Sequence, residues 1–260
     1  MNLKGKWALV TGASSGFGVE FAKLLAARSA NLVLVARRSG PMDELADNLR
    51  HSNGVQVIVE PADLSVPGAA AELKNRIDRR GIDVDILVNN AGRGLYGDFR
   101  DQPLDTITAM VNLNLMAVTE LTHLFAQQMI KRKTGHILLI ASLLGYHATP
   151  GYAVYGATKA YVLVLGEALH AELKRHNVNV TVLSPGPTET SFAHVAGQRN
   201  TLVVRTLMME PRTVASLGVD AMLHGKSSTV AGLMNKLVVL SDRLTPRVLQ
   251  TLIMQKVMSG

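Results

Sequence analysis

The 260-residue chain has no cysteine, which excludes disulfides and thiolate metal centres and is compatible with a reducing compartment. Aromatic residues make up only 4% of it, with a single tryptophan. No basic stripe interleaved with stacking side chains appears, which argues against a nucleic-acid surface. No uninterrupted apolar run reaches the roughly 18 residues of a membrane-spanning helix. The histidines form no close pair at metal-ligand spacing, so no metal is expected. Residues 1–6 pass almost at once into apolar residues 7–10, which leaves no room for a signal peptide and predicts a soluble, cytoplasmic protein. Carboxylates are in deficit: 27 Lys and Arg stand against 20 Asp and Glu, a formal charge of +7. That excess suits nucleic acid, acidic lipid or a phosphorylated cofactor. Its densest cluster, Lys131-Arg132-Lys133, falls where a long helix should end and complements the helix dipole without a ligand.

What is present is apolar residue in quantity, 47% of the chain, enough to bury the core of one α/β domain spanning residues 1–260. Apolar bursts of strand length at 7–10, 32–35, 55–59, 86–88, 136–141 and 178–183 alternate with helical periodicity at 16–27, 41–51, 67–80, 103–131 and 153–176. This alternation predicts a parallel sheet with crossover helices. After Pro185-Gly186 the pattern stops. Residues 189–210 read as an irregular loop, of a length that is usually functional. Residues 227–231 read as a last strand and the remainder, to 258, as amphipathic helix.

The first strand ends in Thr11-Gly12-Ala13-Ser14-Ser15-Gly16-Phe17-Gly18 and opens a helix, so its glycines let the backbone approach a pyrophosphate at the positive helix end. The spacing departs from Gly-x-Gly-x-x-Gly, and a glycine loop alone is equally a tight turn. Its place between strand and helix favours the nucleotide. The second strand ends in Arg37-Arg38, where an acidic residue would bond a ribose 2′-hydroxyl and an arginine accommodates a 2′-phosphate. NADP is therefore expected over NAD; the alternative is that the arginines only solvate the turn.

Tyr155 and Lys159 stand four apart in Tyr-Gly-Ala-Thr-Lys, on one face of a helix. A tyrosine titrates near pH 10, so proton transfer at neutral pH asks for a shift of about three units, or roughly 4 kcal/mol. At about 4 Å a lysine supplies on the order of 1 kcal/mol in water but about 4 kcal/mol at an effective dielectric near 20. The pair must be shielded. Taken alone it is equally a surface tyrosine beside a solvated lysine.

The ordered set, the glycine loop at 11–18, then Asn89-Asn90-Ala91-Gly92, then Ser142, Tyr155 and Lys159, resembles the short-chain dehydrogenase/reductase family over about residues 5–190. The resemblance implies a Rossmann-like, doubly wound, seven-stranded parallel sheet in a three-layer αβα domain. It implies Tyr155 as acid/base, Lys159 lowering the tyrosine's pKa and bonding the nicotinamide ribose, Ser142 holding the substrate oxygen, and Asn114 anchoring a water in a proton relay. Along the cofactor it places Gly12, Ser14, Ser15, Gly16, Phe17, Gly18, Arg37 and Arg38, with Asp63 and Leu64 at the adenine. Asn90, Ala91 and Gly92 follow, and Pro185, Gly186, Thr188 and Thr190 meet the carboxamide. Blander roles compete: Ser142 ending a strand, Asn114 bonding within its helix, Asp63 capping the next one. The family's frequent paired glycines after the last strand are replaced by Val230-Ala231-Gly232 and more helix.

The expected activity is NADP(H)-dependent hydride transfer between the nicotinamide and a carbonyl or secondary alcohol. An irregular segment at 187–215 would cover the substrate, and a helical extension at 232–258 would follow it. Leu143, Leu144, Tyr152, Phe192, Leu202, Met208 and Met209 are candidate walls for an apolar substrate, while His194, Arg199 and Arg205 are candidates to steer an anionic tail. A homodimer or homotetramer through helices 103–131 and 153–176 is expected. A non-catalytic NADP-binding sensor and a nucleotide-sugar epimerase relative are the alternatives. No Gly-x-Ser-x-Gly surrounds Ser142, so a serine hydrolase is not supported.

Overall fold

Strands buried on both faces need apolar residues at every position, and the apolar bursts become such strands. The computed structural model describes residues 2–189, 196–197 and 208–259. Its strands are β1 (Trp7–Thr11), β2 (Asn31–Ala36), β3 (Val57–Pro61), β4 (Val84–Asn89), β5 (Gly135–Ile140), β6 (Val178–Ser184) and β7 (Ser228–Val230). They form one seven-stranded parallel sheet in the order β3-β2-β1-β4-β5-β6-β7. The order reverses between β1 and β4, and the crevice at their carboxyl ends is where such sheets bind ligands.

Alternate side chains of the sheet feed two cores. Val10, Leu34 and Val88 meet Phe21 of α1 (Gly16–Ala26), Met42 of α2 (Ser39–Asn53) and Met222 of α7 (Pro211–Leu223) on one face. Leu9, Leu87 and Val182 meet Ile77 of α3 (Ala69–Arg79), Phe125 of α5 (Ala117–Arg132) and Val162 of α6 (Ala153–Lys174) on the other. Each such side chain contributes about 1.5–3 kcal/mol.

Four differences from the sequence reading have physical causes. The segment 103–131 is not one regular helix but α4 (Leu104–Val111), a π turn (Asn112–Met116) and α5. Helix α7 was not expected; Pro211 at its start and Gly218 within it weaken the local signal, yet Val214, Ala215, Val219 and Met222 are buried. The C-terminal helix is two, α8 (Leu233–Leu244) and α9 (Arg247–Ser259), because Pro246 drives Thr245 to an extended conformation, φ −99° and ψ 130°. The cluster at 131–133 does more than complement a dipole: Arg132 pairs with Asp83 and donates to the Val84 carbonyl at 2.6 Å.

Candidate active site

The glycine loop is held from below by Thr11. Its hydroxyl accepts from the Asn90 and Ala91 amides at 3.0 and 2.9 Å and donates to the Val88 carbonyl at 3.2 Å. Asn90 donates its side-chain amide back to the Thr11 carbonyl at 2.8 Å. A side chain on Gly18 would stand 2.1 Å from the Gly12 carbonyl oxygen, so only glycine lets α1 start this close to the turn. Gly12 and Gly16 take φ +69° and +54°. Ser15, the N-cap of α1, makes no side-chain cap bond, and the first turn carries no acid, which leaves backbone donors and the positive dipole end for an anion. Ser14 is half-buried beside it, whereas the Phe17 ring turns toward the core, 6.3 Å from that of Phe21.

Arg37 and Arg38 are exposed at the end of β2. Asp63, after β3, accepts from the Ser65 amide and hydroxyl at 3.0 and 2.6 Å, so it caps a turn and not the next helix, α3, whose N-cap is Gly68. Partial burial opposes its ionisation, but those bonds and then the charges of Arg37 and Arg93 outweigh it and lower its pKa. Leu64 is buried beside it.

Ser142 follows β5 and caps the turn Leu143–Gly145, its Oγ accepting from the Leu144 amide at 3.2 Å. A side chain on Gly145 would lie 2.9 Å from the Lys159 carbonyl, and one on Gly156 would lie 3.1 Å from that of Leu144. Two small residues thus let the turn lie directly on α6, which brings Ser142 into a hydrogen bond with Tyr155. Both Tyr155 and Lys159 are buried. The Tyr155 ring leans on Tyr152, centroids 5.6 Å apart, and Tyr152 on Tyr96 at 5.0 Å.

Electrostatics here differ from the sequence expectation. Burial pushes the Tyr155 phenol well above its ordinary value, opposed only by the Ser142 hydrogen bond. Burial also pushes the Lys159 ammonium down to about 8. The lysine does not lower the tyrosine in this geometry: Nζ donates to the Ile140 carbonyl at 2.8 Å and stands 5.8 Å from the phenol ring centre. Removal from water disfavours the charged form of each group, raising the phenol and lowering the ammonium.

Asn114 lies in the π turn with its side chain buried. Its amide donates to the Arg93 carbonyl at 2.9 Å and the Thr158 hydroxyl at 3.0 Å, while Oδ1 accepts from the Arg93 amide at 2.9 Å. The side chain therefore bonds across to the chain after Gly92, not within its helix, and its amide hydrogens are committed. A side chain on Gly92 would stand 3.4 Å from both Asn114 Oδ1 and Lys159 Nζ, so three separate motifs converge there.

The segment after β6 joins the same site, since the Leu143 amide donates to the Pro185 carbonyl at 2.8 Å. Thr188 donates to the Gly186 carbonyl at 2.9 Å, and Gly186 packs on the buried Asn235 of α8. Of the candidate walls, Leu143 and Tyr152 are buried near Ser142 and Leu144 is half-buried, as is Met208; Met209 packs against the first core and Asn235. Thr190, Phe192, His194, Arg199, Leu202 and Arg205 lie outside the described residues.

Sequence reasoning missed several residues. Arg93 and Thr158 clasp Asn114, and both directly adjoin motif residues, Gly92 and Lys159. His147, five residues beyond Ser142 and buried, bonds Asp242 of α8 at 2.8 Å through Nδ1; no local pattern signals that pairing.

The chain matches the family model for short chain dehydrogenases over residues 6–201. It is 33% identical over 221 residues to a very-long-chain 3-oxoacyl-CoA reductase of Phaeosphaeria nodorum, covering 83% of this chain and 64% of that protein's length. It is 29% identical to a 7beta-hydroxysteroid dehydrogenase of Collinsella aerofaciens, over 91% of this chain and 90% of the relative. A short-chain dehydrogenase from Sphingobium yanoikuyae, solved in complex with NADPH, superposes with a TM-score of 0.83 at 33% identity, covering 92% of this chain and 93% of that one.

Proposed function

The chain belongs to the short-chain dehydrogenase/reductase family, and on that premise we propose that it moves hydride between NADP(H) and the carbonyl or secondary alcohol of a predominantly apolar substrate. The observation that carries this reading is the Ser142–Tyr155–Lys159 cluster, half-buried at Ser142 and buried at Tyr155 and Lys159, beside the glycine loop. The reduced nicotinamide, when bound, supplies the hydride. Tyr155, which burial keeps protonated, is the donor to the substrate oxygen. A carbonyl oxygen reaching the Ser142–Tyr155 pair meets two hydroxyls, which hold it and stabilise the charge it gains. Lys159, at about 8, is mainly an ammonium at neutral pH and sits where a proton passes between Tyr155 and the Gly92–Asn114 side.

The cofactor assignment rests on the open α1 N-terminus and the two positive-φ glycines. The preference for NADP rests on Arg37 and Arg38, exposed where β2 ends without an acidic residue. An apolar substrate is supported by Leu143, Leu144 and Tyr152 around Ser142, and by the names of two relatives, a very-long-chain 3-oxoacyl-CoA reductase and a 7beta-hydroxysteroid dehydrogenase. Exposed Leu104, Met116 and Val164 on the α4–α6 surface support self-association there.

The test is a homologous series of ketones followed by NADPH oxidation. Each methylene removed from water should raise kcat/KM by up to about fourfold, the equivalent of about 0.8 kcal/mol, until the pocket is full. Values that stay flat or fall along the series reject the apolar pocket.

A further inference from the structure

Helices α8 and α9 are held to the domain by few side chains. Asn235, Val239 and Gln250 are their buried residues, and Asp242 adds its bond to His147. Their other side is apolar and uncovered. Leu233, Leu237, Leu240 and Leu244 follow one another at intervals of four, three and four, the spacing of a single helix face. Val248 and Leu252 repeat the spacing on α9. Leu244, Val248 and Leu233 are 84%, 76% and 73% exposed, and more than half of the described large hydrophobics that face solvent belong to these two helices.

The charges interleaved with this face have one sign. Lys236 and Arg247 are exposed, whereas the sole side-chain carboxylate between residues 233 and 259 is Asp242, which is engaged by His147. Leucines flanked by cations, with no exposed acidic side chain among the described residues, match the composition of helices that lie in the plane of an anionic bilayer. A second copy of the chain fits less well. A two-fold contact sets a face against itself, bringing the same cations together with no exposed acidic side chain among the face's described residues to meet them. Apolar surface for self-association is also available elsewhere, at Leu104, Met116 and Val164.

We propose that the outer face of α8 and α9 docks on an anionic lipid surface. The inner side of α8 bonds His147, five residues beyond Ser142, and packs on Gly186, so the helix that would meet the lipid is in direct contact with two segments that adjoin the site. Docking therefore sets the catalytic side of the domain next to a phase in which apolar substrates dissolve.

The test is flotation of the full-length chain with vesicles of phosphatidylcholine containing about 30% phosphatidylglycerol, against phosphatidylcholine alone. Binding should be at least about tenfold tighter to the anionic vesicles and should weaken with salt. Lys236→Glu with Arg247→Glu should reduce it by at least about 25-fold, each cation being worth about fivefold near such a surface. Leu237→Glu with Leu252→Glu should abolish it. All four positions are exposed, so thermal stability and NADPH oxidation with a water-soluble ketone should not change in either double variant. No binding by the parent chain, or equal binding by either double variant, overturns the proposal. So does absence of vesicle binding with a fall in light-scattering mass in the leucine variant, which assigns the face to a second copy.

Discussion

Lys159 is a buried cation whose cost should be visible in stability. Its pKa falls from the ordinary 10.5 to about 8 because burial disfavours the charge. Below pH 8 both folded and unfolded chains hold the proton, and the folded state bears the full cost of the buried ammonium. Between about 8 and 10.5 the unfolded chain binds more protons than the folded one, so stability rises with pH. From about pH 7 to about pH 9.5 that gain amounts to about 2 kcal/mol. Lys159→Met keeps much of the volume and removes the titration. It also forfeits the bond to the Ile140 carbonyl, a loss of about 1–3 kcal/mol with the acceptor left buried. The variant should therefore lose turnover yet unfold in urea at about pH 7 with stability within about 2 kcal/mol of the parent. The informative quantity is the difference between the two proteins as pH rises. The parent should gain about 2 kcal/mol relative to the variant by about pH 9.5, and Tyr155 and Tyr152, present in both, cancel. A difference that does not change with pH refutes the depressed pKa and the buried-cation account of this site.

Replacing Arg37 by Asp should remove a charge-assisted bond to the 2′-phosphate worth roughly 1.5–3 kcal/mol and move the NADPH to NADH affinity ratio by at least about tenfold; titration of cofactor fluorescence reads it, and an unchanged ratio argues against Arg37 as the selector. Asp242→Ala should strand the buried His147 and cost about 1–3 kcal/mol in urea unfolding, whereas Asp242→Asn, which keeps an acceptor, should cost less than half as much. Equal losses in the two variants would mean that the hydrogen bond to His147 contributes little.

The sheet was legible because parallel strands covered by helices on both faces must be apolar throughout, and runs such as Leu32 to Val35 have no other use in a chain with polar helix faces between them. Tyr155, Lys159 and Ser142 were legible as a set because their order along the chain matched a family, even though their contact depends on Gly145 and Gly156, which carry no chemical signal of their own. Long-range pairings were not legible. Asn114 and Arg93 are 21 residues apart, and His147 and Asp242 are 95 apart; only the folded chain brings them together. The electrostatics were misread for the same reason. Spacing puts Lys159 on the face of Tyr155, but how deeply both are buried, and that the ammonium is bonded to the Ile140 carbonyl, follows from packing of β5 on α6. Helix α7 was hidden by Pro211 and Gly218, residues that suggest a loop in isolation and are compatible with a helix when α1 and β6 pack against it.

The central claim is that Tyr155 supplies the proton in an NADP(H)-dependent reduction. Tyr155→Phe keeps the ring that packs on Tyr152 and removes the hydroxyl that meets Ser142. Measured side by side, NADPH affinity of the variant should stay within about twofold of the parent while ketone turnover falls by at least about 100-fold. A variant that binds NADPH and retains most of its turnover contradicts the account.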